Sequence, residues 1–322
     1  MNDSIRYNRI LVATDFSSSA EAALRQAIWL ARLNGAKIVV AHSLPDLKTV
    51  VHRASYKARM DLLEGEGKLF EREVRQQSDA KLKQLIASME AAELDIRYET
   101  LLGDPFVELI HAVQSEGYDL VLAGVRGLSA WEHFLLGSTA GRLVRKCPAS
   151  VWVVKPQHVG PPKVVMAATD FSEISWKAVR HGHWIAQQAK AAFHLLHVID
   201  ERDSPIEIAA NAIRKEINEA MEKRLNHALD SMQIDRTQIQ VHLSLGTPWK
   251  EVCRLSQQLK VDLIAMGTVG RSGIQGLLLG NTADKVLRTC DCSILTVKLD
   301  DFVSPIEPAS WSLHPSPRCE DQ

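Results

Sequence analysis

Two tandem doubly wound α/β domains, each a five-stranded parallel sheet of order 3-2-1-4-5 flanked by helices, are the fold the sequence predicts. Two observations predict it. One pattern is written twice: "ILVATDFS" at 10–17 returns as "VVMAATDFS" at 164–172, "YDLVLAG" at 118–124 as "VDLIAMG" at 261–267, and "RLVRKCPASVWVVK" at 142–155 as "KVLRTCDCSILTVK" at 285–298. Within each copy, short runs rich in Val and Ile alternate with amphipathic stretches, the pattern of strands buried on both faces between crossover helices.

The elements follow in order. Strands begin near Ile10, Ile38, Ile96, Leu120 and Val151, with counterparts near Val164, Phe193, Val241, Leu263 and Ile294. Leu24, Ala27, Ile28 and Ala31 follow helical spacing after the first strand, with Ser18 and Glu21 as a capping box and Gly35 as the stop. Asp104-Pro105 and Thr247-Pro248 read as N-caps followed by proline at the first helical position. The charged stretch 53–93 and its counterpart 206–232 read as solvated crossover helices. The early matches are offset by 155 residues (Asp15 to Asp170) and the later ones by 143 (Gly124 to Gly267), so the second copy has the shorter middle. Domains are expected at 1–156 and 163–299, with a linker at 157–162 and a disordered tail at 300–322.

Composition excludes several classes. With 38 basic and 39 acidic side chains, the chain offers no reason to expect nucleic acid, and no basic stripe interleaved with aromatics suggests it. No run of about 18 apolar residues suggests a membrane span, and the N-terminus lacks a signal-like pattern, so a cytoplasmic location is expected. The five cysteines form no spaced framework, and free thiols rather than disulfides are expected. Cys290 and Cys292 read as buried thiols at a strand edge, since Ala149 stands at the repeat position of Cys292. His42 and His197 alone among the histidines recur in both copies and are expected to satisfy local hydrogen bonds.

The glycines after the fourth strand carry the sharpest signal. Gly124, Gly127 and Gly137 have the spacing G-x2-G-x9-G, followed by Ser138 and Thr139; Gly267, Gly270 and Gly280 repeat it, followed by Asn281 and Thr282. Tight turns and helix packing would explain one such loop. Two copies in strand-to-helix context favour a backbone cradle for phosphate, ending on the unpaired N–H groups of a helix start. Neither loop is a Walker A sequence or a G-x-G-x-x-G fingerprint. Arg126 and Arg271 either add positive charge to the loops or face solvent.

These loops, the "ATDFS" ends of the first strands, "HVID" at 197–200 and the closing "VVK" and "TVK" resemble the universal stress protein family in its tandem form, from Asn8 to Lys298. The resemblance implies a nucleotide-binding type of α/β fold and dimer-like pairing of the repeats, within the chain or across a homodimer. In one branch of the family it implies ATP with a divalent metal, Mg2+ or Mn2+, whose ligands are unknown. Carried over by position, Asp15 and Asp170 would lie beside base or ribose with Ala13 and Ala168, and Val198 would contact adenine. Ala123, Gly124, Met266 and Gly267 would border the nucleotide. Gly127 and Gly270 would admit phosphates, and Gly137, Ser138, Thr139, Gly280, Asn281 and Thr282 would donate to them. Ser43 replaces the valine in the first copy and Asn281 replaces a hydroxyl in the second, so unequal sites are expected.

The function expected is that of a stress-response protein that binds ATP as sensor or regulator. No general base is evident, so weak ATPase or self-phosphorylation is the most the sequence suggests. The alternative is a scaffold that presents surfaces and whose pockets are vestigial.

Overall fold

The computed structural model describes residues 5–45, 67–125, 136–157, 160–200, 211–268 and 279–309. In the first half, β1 (Arg9–Ala13), α1 (Ser18–Asn34), β2 (Lys37–Leu44), α2 (Gly67–Ala87), β3 (Ile96–Leu102), α3 (Pro105–Glu116), β4 (Leu120–Gly124), α4 (Ser138–Lys146) and β5 (Ser150–Val154) alternate as expected. The second half repeats them as β6 (Val164–Thr169), α5 (Glu173–Ala189), β7 (Ala192–Asp200), α6 (Asn211–Ser231), β8 (Ile239–Gly246), α7 (Pro248–Gln258), β9 (Leu263–Gly267), α8 (Asn281–Thr289) and β10 (Ser293–Val297). A 3-10 turn, Arg236–Gln238, precedes β8, so that strand starts two residues before Val241.

The strands form one ten-stranded sheet of order β3-β2-β1-β4-β5-β10-β9-β6-β7-β8. Each half keeps the order 3-2-1-4-5 and parallel pairing; β5 and β10 pair antiparallel, Leu295 opposite Trp152. The central strands, apolar over most of their length, bury both faces. Ile10 and Val12 belong to the cluster beneath α1, α2, α5 and α6, whereas Leu11 belongs to the one beneath α3, α4, α7 and α8. Both clusters run through the seam, with Trp152 and Leu295 in one and Val153 and Ile294 in the other.

Side chains lock the seam reciprocally. Lys298, buried just past β10, donates to the carbonyls of Val144 (2.8 Å) and Arg145 (3.0 Å) at the end of α4. Lys155, its repeat counterpart, donates to the carbonyl of Cys290 at the end of α8. Each half therefore supplies a cation to the negative end of the other half's helix. Arg145 also pairs with Asp284 of α8 at 2.5 Å. Beyond β10, residues 300–309 carry neither helix nor strand, yet the carbonyls of Ile306 and Glu307 accept bonds from Gln114 and His111 of α3. No helix among the described residues is long and apolar enough to cross a membrane.

Two local expectations are corrected. Ser17, not Ser18, caps α1, its hydroxyl accepting from Ala20 N at 3.3 Å, because Asp15 has already turned the chain. Free thiols were expected throughout, yet Cys253 of α7 and Cys290 are joined as a disulfide with Cα atoms 5.3 Å apart. The helix pair that brings them together has Ile110 and Cys147 at the same places in the first half, where no bond can form. Cys147 and Cys292 remain free and buried, their thiols pushed up to about 12 by desolvation.

The bridge closes a loop with a sequence separation of 37. Cys253→Ser should lower unfolding free energy by about 2–4 kcal/mol, and reductant should lower the urea midpoint of the parent protein equally; a parent midpoint and thiol count indifferent to reductant would refute the bond. A second prediction concerns His181 in α5, whose Nδ1 lies 2.6 Å from the hydroxyl of the buried Tyr7. Burial first, then Lys177 and Arg180, hold its pKa down to about 4. The unfolded chain therefore takes up the proton first as pH falls from about 6.5, and the stability contributed by neutral His181 is lost progressively toward pH 4. His181→Gln should flatten that part of the stability profile measured by urea unfolding.

Candidate functional site

In each half the strand order reverses between the first and fourth strands, and the ligand edge of such sheets lies beyond the carboxyl ends there. Ala13 stands in register with Ala123, and Ala167 with Ala265. Ala13, Asp15, Ala123 and Gly124 therefore share one edge, and Ala168, Asp170, Met266 and Gly267 the equivalent edge. Because β5 and β10 run oppositely, the two edges face opposite ends of the molecule.

The turn after the first strand has the same construction in both halves. Phe16 and Phe171 adopt left-handed backbone, φ 63° and 66°. That costs a non-glycine residue energy, and local bonds hold it. Thr14 Oγ1 accepts from Phe16 N (3.0 Å) and Asp15 Oδ1 from Ser17 N (3.1 Å); Thr169 and Asp170 do the same for Phe171 and Ser172. His42 donates from Nδ1 to the carbonyl of Thr14 and His197 to that of Thr169, at 2.7 and 2.8 Å. Their rings pack on Phe16 and Phe171 with centroids 4.6 and 4.5 Å apart. The expectation for the two recurring histidines is met. Each aspartate caps its own turn through one oxygen.

The fourth strand leaves this edge and returns to it. Gly137 N donates to the carbonyl of Val125 (2.8 Å) and Gly280 N to that of Thr268 (2.7 Å), so each loop is closed at its base. Gly127 and Gly270, with Arg126 and Arg271, lie outside the described residues. Gly137 and Gly280 are the N-caps of α4 and α8 and supply no side-chain cap, so among the described residues no cap side chain engages the helix starts at Ser138, Thr139, Asn281 and Thr282. The first turn of α4 has no acidic residue; that of α8 has Asp284, engaged by Arg145 and Arg288.

The halves differ at the second strand. Ser43 donates its hydroxyl to the carbonyl of Gly103 (3.0 Å), tying β2 to the turn before α3. Val198, its counterpart, packs partly exposed on the apolar cluster beside α7 and α8. They differ again at the first glycine. A Cβ on Gly124 would come within 2.7 Å of the Ser19 carbonyl carbon and 2.8 Å of Ala20 N, so the close approach of α1 demands glycine there. At Gly267 the nearest contact would be a methyl of Ile174 at 3.0 Å.

Reasoning from the sequence missed the cations over the turn. Lys81 of α2 stands 5.8 Å from the Phe16 ring centroid and Arg224 of α6 stands 4.1 Å from that of Phe171. Both come from crossover helices read as merely solvated. Their matching positions, 143 residues apart, were the available signal. Among the described residues no group of three or more His, Cys, Asp or Glu side chains could hold a metal ion.

A family profile described as Universal stress protein family matches residues 6–155 and again 162–298. Universal stress protein E of Photorhabdus laumondii is 27% identical over 318 residues, covering 94% of this chain and 98% of its own. Universal stress protein E of Escherichia coli K12 is 26% identical over 315 residues, with coverage of 94% and 97%. Among solved structures, a functionally unknown protein of Pseudomonas aeruginosa PAO1 superposes with a TM-score of 0.61 at 20% identity, covering 92% of this chain and 94% of its own. A universal stress protein of Archaeoglobus fulgidus gives 0.59 at 20% identity, covering 91% and 99%. At that identity the likeness shows the fold.

The unequal glycine environments give a test of what the first glycine of each loop does. Gly124→Ala should cost about 2–3 kcal/mol of stability, because backbone must move, and Gly267→Ala less than about 1 kcal/mol, because a side-chain methyl can turn aside. Urea unfolding of the two variants reads the difference; equal costs would mean that α1 does not impose the glycine.

Proposed function

The chain belongs to the universal stress protein family, and from that membership we propose that it binds ATP at the carboxyl edge of its sheet as a sensor or regulator. The observation that carries the reading is the glycine-capped start of α4 and α8, where the cap residue offers the first N–H groups no side chain and is tied to the chain just past the fourth strand. Phosphates would rest on these N–H groups, with Ser138, Thr139, Asn281 and Thr282 adding side-chain donors. Adenine would lie over Ala168 and Val198 in the second half. The oxygen donors at these edges suit a hard cation, Mg2+ or Mn2+, held chiefly by the phosphates and water. The reading places the protein in the cytoplasm, where the nucleotide is.

The first half favours a second reading, that of a scaffold with a vestigial pocket. Gly124 is required by helix packing, and the hydroxyl of Ser43 is spent on Gly103. We therefore assign the stronger site to the second half and expect one nucleotide per chain.

Mass spectrometry of nucleotide released from the freshly purified protein, followed by calorimetric titration with ATP and Mg2+, tests both statements. Val198→Glu should weaken binding at least tenfold and Ser43→Glu should leave it within about twofold, since a buried carboxylate opposes adenine only where adenine sits. Absence of released nucleotide together with absence of binding heat would leave the scaffold reading for both halves.

A further inference from the structure

We propose that the groove along α5, between the two halves, binds a small anionic ligand with an aromatic body, at a site separate from the glycine loops. The groove encloses about 1150 Å³, enough for a ligand of drug or nucleotide size. None of the residues lining it is among the candidate nucleotide-binding residues.

Its charge selects an anion. One face of α5 presents Lys177, Arg180, His181 and Trp184 to the groove at helical spacing. Asp119, which also lines it, accepts from the backbone N–H groups of Asn8 (2.7 Å) and Arg9 (3.3 Å). Asp300 pairs with Lys177 at 2.5 Å but is 97% exposed on the chain beyond β10. Among the described residues Arg180 has no ion-pair partner. Burial first, then Lys177 and Arg180, oppose protonation of His181, so both cations act on this part of the groove. Asp300 is thus an internal carboxylate already drawn to the position proposed for the ligand's anionic group. Because the Asp300 end of the pair stands in water, an incoming anion displaces it at little cost.

The walls select an aromatic body. Trp184, one turn beyond Arg180, meets Tyr7 edge to face with centroids 5.7 Å apart, and Phe302 closes another side beneath Lys298 at 4.0 Å. An anion held at Lys177 and Arg180 would extend its apolar part along α5 onto Trp184.

The repeat provides an internal control. Gln26 of α1 stands at the position of His181 and donates to the carbonyl of Gly160, so the segment joining the halves covers the corresponding place and leaves a cavity of about 160 Å³. Ala22 stands where Lys177 does, so half of the cation pair is missing there. The open groove and its paired cations therefore lie along α5 and are not repeated along α1 among the described residues.

The test uses the full chain and 8-anilinonaphthalene-1-sulfonate as probe, followed by its fluorescence. Saturable binding of one equivalent is expected, weakened at least tenfold in Arg180→Glu and unchanged in Arg25→Glu, the variant at the repeat position. The uncharged N-phenyl-1-naphthylamine should bind at least tenfold more weakly. Excess ATP with Mg2+ should not displace the sulfonate. Equal affinity in Arg180→Glu with an unchanged circular dichroism spectrum, equal affinity for the uncharged probe, or displacement by ATP would each overturn the assignment. Because probe binding is read without nucleotide, its failure is distinguishable from failure of the ATP reading.

Discussion

The antiparallel pairing of β5 with β10 is the contact on which the rest of the architecture depends. Every residue of both strands is buried, so neither strand can end a sheet in water without exposing apolar faces and an unpaired ladder. Pairing the two removes both edges at once and extends both hydrophobic clusters across the boundary. The reciprocal lysines then fix the register from outside the sheet, each giving up hydration to satisfy carbonyls that the partner helix leaves open. Burial holds the ammonium of Lys298 down to about 8, the signature of a cation retained in an apolar seam by its bonds.

The seam also sets what the two candidate sites can share. Opposed strand directions put the sites at opposite ends of the sheet, so no single ligand bridges them. α4 and α8 offer one route between them, since their amino ends border the candidate sites and their carboxyl ends are held by the other half. Within this frame the same turn, Thr-Asp-Phe-Ser with its histidine, is built twice, while the second-strand residue and the packing of the first glycine have diverged.

The strands were legible in the sequence because burial on both faces leaves a continuous apolar run, which periodicity reads directly. Gly35 and Asp104 likewise announce their helix ends through local chemistry. What the sequence did not show were pairings between distant residues. Cys253 gives no sign of Cys290, because a helix–helix contact, not spacing, brings the sulfurs together. In the run of three serines at 17–19, composition cannot say which hydroxyl caps; the Asp15 turn decides. The left-handed phenylalanines were unreadable for a related reason, since phenylalanine gives no local warning of positive φ and only the surrounding bonds explain it. At the candidate sites, residue types and spacing pointed to the carboxyl edge of the sheet where the strand order reverses, but the task of Gly124 in admitting α1 became visible only with the helix in place.

The joining of two copies through one seam has a further consequence. In a pair made of separate identical chains, each substitution is suffered twice and the partnership dissolves on dilution. Here the tether fixes the effective concentration of one half beside the other, independent of how much protein is present. Each half is also freed to change alone. One copy can carry a serine where the other has a valine, hold a disulfide, or leave a groove open while its sister does not, and the shared sheet keeps both folded.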